Sequence, residues 1–348
     1  MVVLGADLHK RSHTVVAVDG TGRKLDVKTV AATTEGHLEL RRWAEQWPER
    51  RWALEDCRQL SRRLEADLVR SGETVVRVPP KLMAGARRSV REPGKSDPID
   101  AVAVARAALR EPDLPIARLD GPERALRLLV DHREDLVAER TRHINRVRWL
   151  LVELDIAEPP ARSLNRPAVI AQLSTELAGR SEPAARFARD LVVRIAGLTS
   201  SIKALATEIG QLVPTLAPAL LAMPGCGPLT AAKIVGEVAG ITRFRSSAAF
   251  ARHNGTAPVP VWSANRERHR LSRGGNRQLN AALHRIAITQ LRLGGAGAAY
   301  RAKRLAMQNT ATEAVRALRR RVSDEVFRRL RSDEGARMAP PGALAGAA

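Results

Sequence analysis

Four carboxylates in the first third of the chain have the types and spacing of a metal centre. Asp7 closes the apolar run VVLGADL (2–8), Glu55 closes RWALED (51–56), and Asp97 and Asp100 open SDPIDAVAVARAAL (96–109). The last two stand three apart, so on a helix they share one face with Cβ atoms about 5–6 Å apart. Phosphoryl transfer with two Mg²⁺ ions about 4 Å apart needs several hard oxygen donors on rigid elements, because each ion must hold an attacking or a leaving oxygen. Each acid also has a plainer use. Asp97 before Pro98 reads as a helix N-cap with proline in the first turn, Asp100 as the acid of a capping box, Asp7 as the start of a turn, and Glu55 or Asp56 as the cap of the next helix. Both uses stay open for any one acid; the order of all four is what favours the metal.

Elements that could position them follow from the periodicity. VVLGADL (2–8), HTVVAVD (13–19) and KLDVKTV (24–30) are strand-like and separated by short turns, the second holding Gly20 and Gly22. Helical spacing over 35–47 and 59–71 alternates with strands at 51–56 and 73–79, and helices are predicted at 81–88 and 98–110. Three strands followed by helix–strand–helix–strand–helix make an α/β domain with a mixed sheet over about 1–115.

From Pro122 the pattern turns all-helical. Residues 122–155 carry an approximate heptad stripe of Leu129, Leu136, Val137, Ile144, Val147, Leu151 and Leu154. A second long helix is predicted over 182–212, so that 120–212 is either a coiled-coil oligomerisation arm or a helical linker. Gly225-Cys226-Gly227-Pro228 lies between two helical stretches of 219–240, as in a helix-hairpin-helix whose turn offers N–H groups to a phosphate, or in a tight helix connection. Residues 255–278 are basic and irregular, with the features of a hairpin. A helix over 279–292 and a single basic helix over 300–331 follow, the latter holding Arg319, Arg320 and Arg321. A helical domain therefore spans 213–331, and the Ala-, Gly- and Pro-rich segment 332–348 reads as a disordered tail.

Charge points to the partner. The 348 residues hold 58 Lys and Arg against 37 Asp and Glu, a net charge of +21. Such a surplus suits a polyanion, nucleic acid before membrane, although a coding bias toward Arg and Ala would also raise the count. No apolar run approaches the roughly 20 residues of a membrane span, and no signal-peptide pattern is present. Cys57 and Cys226 lie too far apart in sequence to suggest a disulfide framework, so a cytoplasmic setting is expected.

Taken jointly, GADLHK (5–10), ALED (53–56), KSDPIDAVAVA (95–105), MPGCGPLTAAKIVGEV (223–238) and GTAPVPVWSANRERHRLSRGGNRQLNAALHRIA (255–287) resemble the DEDD transposases of bacterial insertion sequences. The resemblance runs from about residue 2 to 330. It implies a ribonuclease-H-like, RuvC-like fold for the N-terminal domain, with Asp7, Glu55, Asp97 and Asp100 as the acid set holding Mg²⁺. It also implies a serine nucleophile in the C-terminal transposase domain at Ser263, where Ala264 replaces the family's glycine. From the residues alone, Ser263 and Ser272 are both hydroxyls in a basic segment, and a hydroxyl needs activation before it attacks. Arg266, Arg268, Arg270, Arg273 and Arg277 read as phosphate contacts, as do Gly225 and Gly227. The reaction implied is cleavage and rejoining of donor and target DNA through a covalent phosphoserine, guided by a noncoding bridge RNA. It takes place within a homo-oligomer, dimer to tetramer, in which the acids act from a neighbouring subunit. A metal-dependent junction endonuclease using the acids alone, or a non-catalytic nucleic-acid-binding protein, would fit the residues in other ways.

Overall fold

A computed structural model describes residues 1–55, 60–79, 82–83, 96–111, 114–160, 162–263, 266–270 and 274–338. Asp56, most of the helix expected at 81–88, Ser272, Arg273 and residues 339–348 lie outside the described residues. The chain divides into two compact units, 1–120 and 121–348.

The first unit is built on a five-stranded sheet: β1 (Val2–Leu8), β2 (Ser12–Val18), β3 (Lys24–Ala31), β4 (Arg50–Glu55) and β5 (Val75–Val78), in the order β3-β2-β1-β4-β5. β1, β2 and β3 form an antiparallel meander, whereas β4 and β5 run parallel to β1. Parallel neighbours need crossovers, and α1 (Thr34–Ala44) and α2 (Arg62–Arg70) provide them. This is the mixed sheet that the sequence pattern predicts, in the ribonuclease-H-like order that the family resemblance implies. β1 lies at its centre and is buried from Val3 to Leu8.

Strand alternation sends two residue sets to two faces. Leu4, Ala6 and Leu8 join Val15, Trp52 and Leu54 under Leu40 of α1 and Leu64 and Leu68 of α2. Val3, Val16, Ala53 and Val78 face α3 (Asp97–Arg110) through its alanines and valines. Gly5 lies on the α3 side, and a Cβ there would sit 2.3 Å from the Ala101 carbonyl oxygen and 2.5 Å from the Ala105 nitrogen. The alanine-rich run thus has a physical purpose: small residues on α3 and none on Gly5 let the helix backbone rest directly on the central strand.

The second unit contains two long helices, α4 (Glu123–Glu153) and α6 (Pro183–Leu216), packed antiparallel, with α5 (Pro167–Ala178) between them in sequence. Their ends belong to separate cores. Leu150, Leu151 and Leu154 meet Ala188, Val192 and Ile195 at one end, and Leu126 and Val130 meet Ile209 and Val213 at the other. Between these cores Leu136 and Val137 are only half-buried, because two helices alone cannot cover a seam. Helix α5 was not expected from the sequence.

The C-terminal core adds α7 (Pro218–Leu221), α8 (Pro228–Val238), a 3₁₀ turn at Ile241–Arg243, and α9 (Ser247–His253). Next come the antiparallel strands β6 (Val259–Ser263) and β7 (Arg266–Arg270), then α10 (Arg277–Leu293), α11 (Ala296–Ala306) and α12 (Ala311–Met338). Two expectations are corrected here. The single helix predicted over 300–331 is broken, with Gln308 at φ 61° and a capping box at Thr310 and Glu313, whose side chains exchange hydrogen bonds with each other's backbone N–H groups. The tail expected from Ser332 begins inside α12, which continues to Met338. Asp333 is buried there and accepts from the N–H groups of Ala219 (2.8 Å) and Leu220 (3.1 Å), the otherwise unpaired donors opening α7. Among the described residues no helix is long and apolar enough to cross a membrane.

Candidate metal centre and serine hairpin

Asp7 occupies the α3 side of β1, two residues past Gly5. The parallel pairing of Ala6 with Leu54 sets Glu55 one step further on, level with Asp7 and on the same face of the neighbouring strand. Because α3 approaches β1 so closely at Ala101, its first turn carries Asp97 and Asp100 to that same end of the sheet. The cap reading of Asp97 is corrected: Ser96 takes the N-cap position, and Asp97 and Pro98 begin the helix. The Asp97 carboxylate faces His9 instead.

His9, just beyond β1, joins the acids. Its Nε2 lies 3.2 Å from Asp7 Oδ2 and 3.3 Å from Asp97 Oδ1. Among the described residues Asp7, His9 and Asp97 form one group whose ligand atoms all fall within 4.8 Å of one another. Asp7 and Asp100 are buried, whereas Asp97 is half-exposed. Burial pushes the Asp7 carboxyl above its usual range; His9 opposes this, while the charges of Asp100 and Asp97 add to it. Carboxylates collected under partial burial repel one another, and that charge distribution calls for a cation. Hard oxygens around one imidazole make a donor set that fits a divalent ion. The sequence carried a signal for His9: it lies two residues after Asp7, so strand alternation continued by one residue returns it to Asp7's face.

Ser263 belongs to the second unit. The last pair of the β6–β7 ladder is Ser263 with Arg266, so only residues 264 and 265 separate the strands and Ser263 stands at the outer end of the ribbon. Positions 266, 268 and 270 pair with 263, 261 and 259, which puts Ser263 and three arginine positions on one face by backbone register. Arg277 is exposed in the first turn of α10. Gly225 has φ 81°, and its would-be Cβ lies 3.1 Å from the Ile286 carbonyl oxygen, so close packing against α10 accounts for this glycine. Gly227 opens α8 with nothing within 4 Å of a Cβ. Between them Cys226 is buried, and burial pushes its thiol up to about 12, which makes it a packing residue rather than a nucleophile.

Residues 4–155 match a family model described as Transposase, of the DEDD kind represented by IS110. Residues 217–302 match a model described as Transposase IS116/IS110/IS902 family. The chain is 29% identical to the Insertion element IS116 uncharacterized 44.8 kDa protein of Streptomyces clavuligerus, over 97% of this chain and 96% of that one. It is 26% identical to the Insertion element IS900 uncharacterized 42 kDa protein of Mycobacterium paratuberculosis, over 94% and 95% of the two chains. Among solved structures it is similar to T. thermophilus RuvC in complex with Holliday junction substrate, at 16% identity and a TM-score of 0.25, over 32% of this chain and 94% of that one. At that score the fold assignment rests on strand order and register. The two matched segments together take in more than half of the chain, the acids in one and Ser263 in the other. The chain belongs to the DEDD transposase family of bacterial insertion sequences, enzymes that transfer strands of DNA.

Proposed function

We propose that the protein is a site-specific recombinase of its insertion sequence, in which Ser263 attacks DNA and Asp7, Glu55, Asp97 and Asp100, with His9, hold Mg²⁺. The single observation that carries the metal role is the meeting of Asp7 and Asp97 on one His9 nitrogen at the end of the sheet. A divalent cation bound there supplies Lewis acidity at a phosphate oxygen and lowers the cost of ionising a hydroxyl. Asp7 and Asp100 keep their carboxylates partly out of water, which strengthens their hold on a cation.

In the transfer step the Ser263 Oγ forms a bond to phosphorus as one P–O ester bond of the strand breaks, and the serine proton ends on the departing sugar hydroxyl. One phosphoester replaces another, so the reverse attack rejoins a strand without an outside energy source. Arginine positions 266, 268, 270, 273 and 277, with the open start of α8 at Gly227, hold the backbone around the break. The net charge of +21 supports a second polyanion as well, a noncoding guide RNA that selects donor and target. Dimers to tetramers bring the acids of one subunit to the serine of another.

The test is a strand-cleavage assay with Mg²⁺ and DNA carrying the element's ends, read on denaturing gels. Wild type forms a covalent protein–DNA species. Ser263→Ala loses that species and at least about 10³-fold in rate while still binding metal. Asp97→Asn loses metal-dependent cleavage while folding is retained. Cleavage without any covalent species, undiminished in Ser263→Ala, would replace this reading with hydrolysis by the acids alone. Stripping co-purified RNA should abolish target choice, and adding it back should restore it.

A further inference from the structure

The Ser263 ribbon leaves the helices of the second unit after α9 and returns to them before α10, and the two points are tied together. On the outgoing side Asn254 is fully buried. Its Nδ2 donates to Ser323 Oγ of α12 at 2.8 Å, and its Oδ1 accepts from the N–H (3.0 Å) and hydroxyl (2.6 Å) of Thr256, which turns the chain into the ribbon. Its carbonyl oxygen accepts from Asn280 Nδ2 of α10 at 2.8 Å. On the returning side the Asn276 N–H donates to the His253 carbonyl at 2.7 Å. Asn276 Oδ1 caps α10 by accepting from Leu279 N at 3.0 Å, and its Nδ2 donates to Glu237 Oε2 of α8 at 2.5 Å. At Gly275, φ 95°, a Cβ would lie 2.6 Å from the His253 carbonyl oxygen and 2.8 Å from Gly255 N, so the outgoing and returning backbones touch.

Glu237 has a second set of partners. Its side chain is 1% exposed, and Oε1 lies 3.5 Å from Arg127 and 3.7 Å from Lys233. Lys233, itself 4% exposed, also reaches Asp131 at 3.2 Å and Glu134 at 2.8 Å on α4. Burying such a cluster contributes little net stability, because desolvation offsets most of the Coulomb gain. What it does supply is direction: one carboxylate oxygen stays with two cations and the other is left aimed at Asn276.

We infer that Glu237 is the positioning residue of the Ser263 ribbon, fixing its angle at the base through Asn276 while Arg127 and Lys233 hold Glu237 itself in place. This rests on the reading of Ser263 as nucleophile. Leverage gives the device its weight. A five-residue strand reaches about 15 Å, so a tilt of about 5° at the base displaces the tip by more than about 1 Å. Misplacing a reacting atom by about 1 Å costs roughly 10²-fold in rate.

The experiment uses the full-length protein, comparing wild type, Glu237→Gln, Asn276→Asp and the double variant. Asn276→Asp sets two carboxylates against each other and should cut the single-turnover cleavage rate about 100-fold at unchanged KM for DNA. Backbone amides of 259–270 should exchange faster in the DNA-free protein. Glu237→Gln should lower the rate about 10-fold. The double variant restores a donor–acceptor pair with the direction reversed, and should recover at least about 10-fold of the loss and the slow exchange. Should Asn276→Asp fail to fold, Asn276→Ser keeps the cap of α10 but cannot reach Glu237, and takes its place. Unchanged exchange in the ribbon, a loss confined to KM, or no recovery in the double variant would overturn the inference. Retained cleavage in Ser263→Ala overturns the nucleophile reading and with it the catalytic role of Glu237; the exchange rates still show whether Glu237 holds the ribbon.

Discussion

The acids stand on two adjacent strands of a sheet and on the first turn of the helix that lies against it, whereas Ser263 stands at the far end of a two-stranded ribbon anchored at its base. Asp7 and Asp97 are held by packing: Gly5, Ala101 and Ala105 let two backbones meet, and the carboxylates go where the backbones take them. The ribbon is held at its base by hydrogen bonds and buried charge, at Asn254, Asn276 and Glu237. The difference suits the two tasks proposed for them, metal binding by the acids and attack by Ser263. Metal ligands need tenth-of-an-ångström constancy relative to one another, which a close-packed interior supplies. A nucleophile must reach a phosphate outside the fold and needs only a defined angle.

That contrast can be broken at either anchor. The largest effect is expected at Gly5→Val, whose side chain would collide with the α3 backbone. Unit 1 should lose about 3 kcal/mol or more, together with Mg²⁺ binding measured by calorimetry, while the unit-2 helices keep their circular dichroism. Gly275→Ala is the matching change at the ribbon. A left-handed backbone and a contact with the His253 carbonyl should cost about 2 kcal/mol in urea unfolding and reduce cleavage, with Mg²⁺ binding intact. If it abolished metal binding too, the two sites would not be separately held.

A smaller effect sharpens the metal site. His9→Ala should weaken Mg²⁺ binding about 10-fold without changing the melting temperature, since the ring is half-exposed and lies outside the core.

The smallest concerns pH. His13 is buried, its ring stacked 5.3 Å from His37, and burial first, then His37, lower its pKa from the usual 6.5 to about 4. The unfolded chain takes up the proton near 6.5 and the folded chain only near 4. The neutral ring's contribution to unit-1 stability is therefore complete above about 6.5 and is lost progressively as pH falls toward 4. Thermal unfolding between pH 7.5 and 4.5 should show that slope, and His13→Gln should flatten it.

Much of this was legible in the residues. Short apolar runs bounded by turns placed all five strands of the first unit within two residues of their observed ends, because each run is local in the sequence. The capping box at Thr310 and Glu313 was also visible, yet the helical period on either side of it read as one helix. Helix α5 escaped because only Leu173 and Leu177 of its residues are buried, against the ends of the two helices that flank it, too sparse a stripe to show a period. The acids were legible as a set and His9 was overlooked, although its spacing from Asp7 carried the signal.

The sequence by itself determined the strands of the first unit, the excess of positive charge and the order of the acids, since these are set by composition and by neighbours a few residues apart. Tertiary structure alone decided that Asp97 faces His9 rather than capping its helix. It alone also brought Asn276 to Glu237, 39 residues away. Both depend on how closely backbones approach across a core, at Gly5 and at Gly275. That distance is set by the side chains that are missing there and by partners the local sequence does not contain.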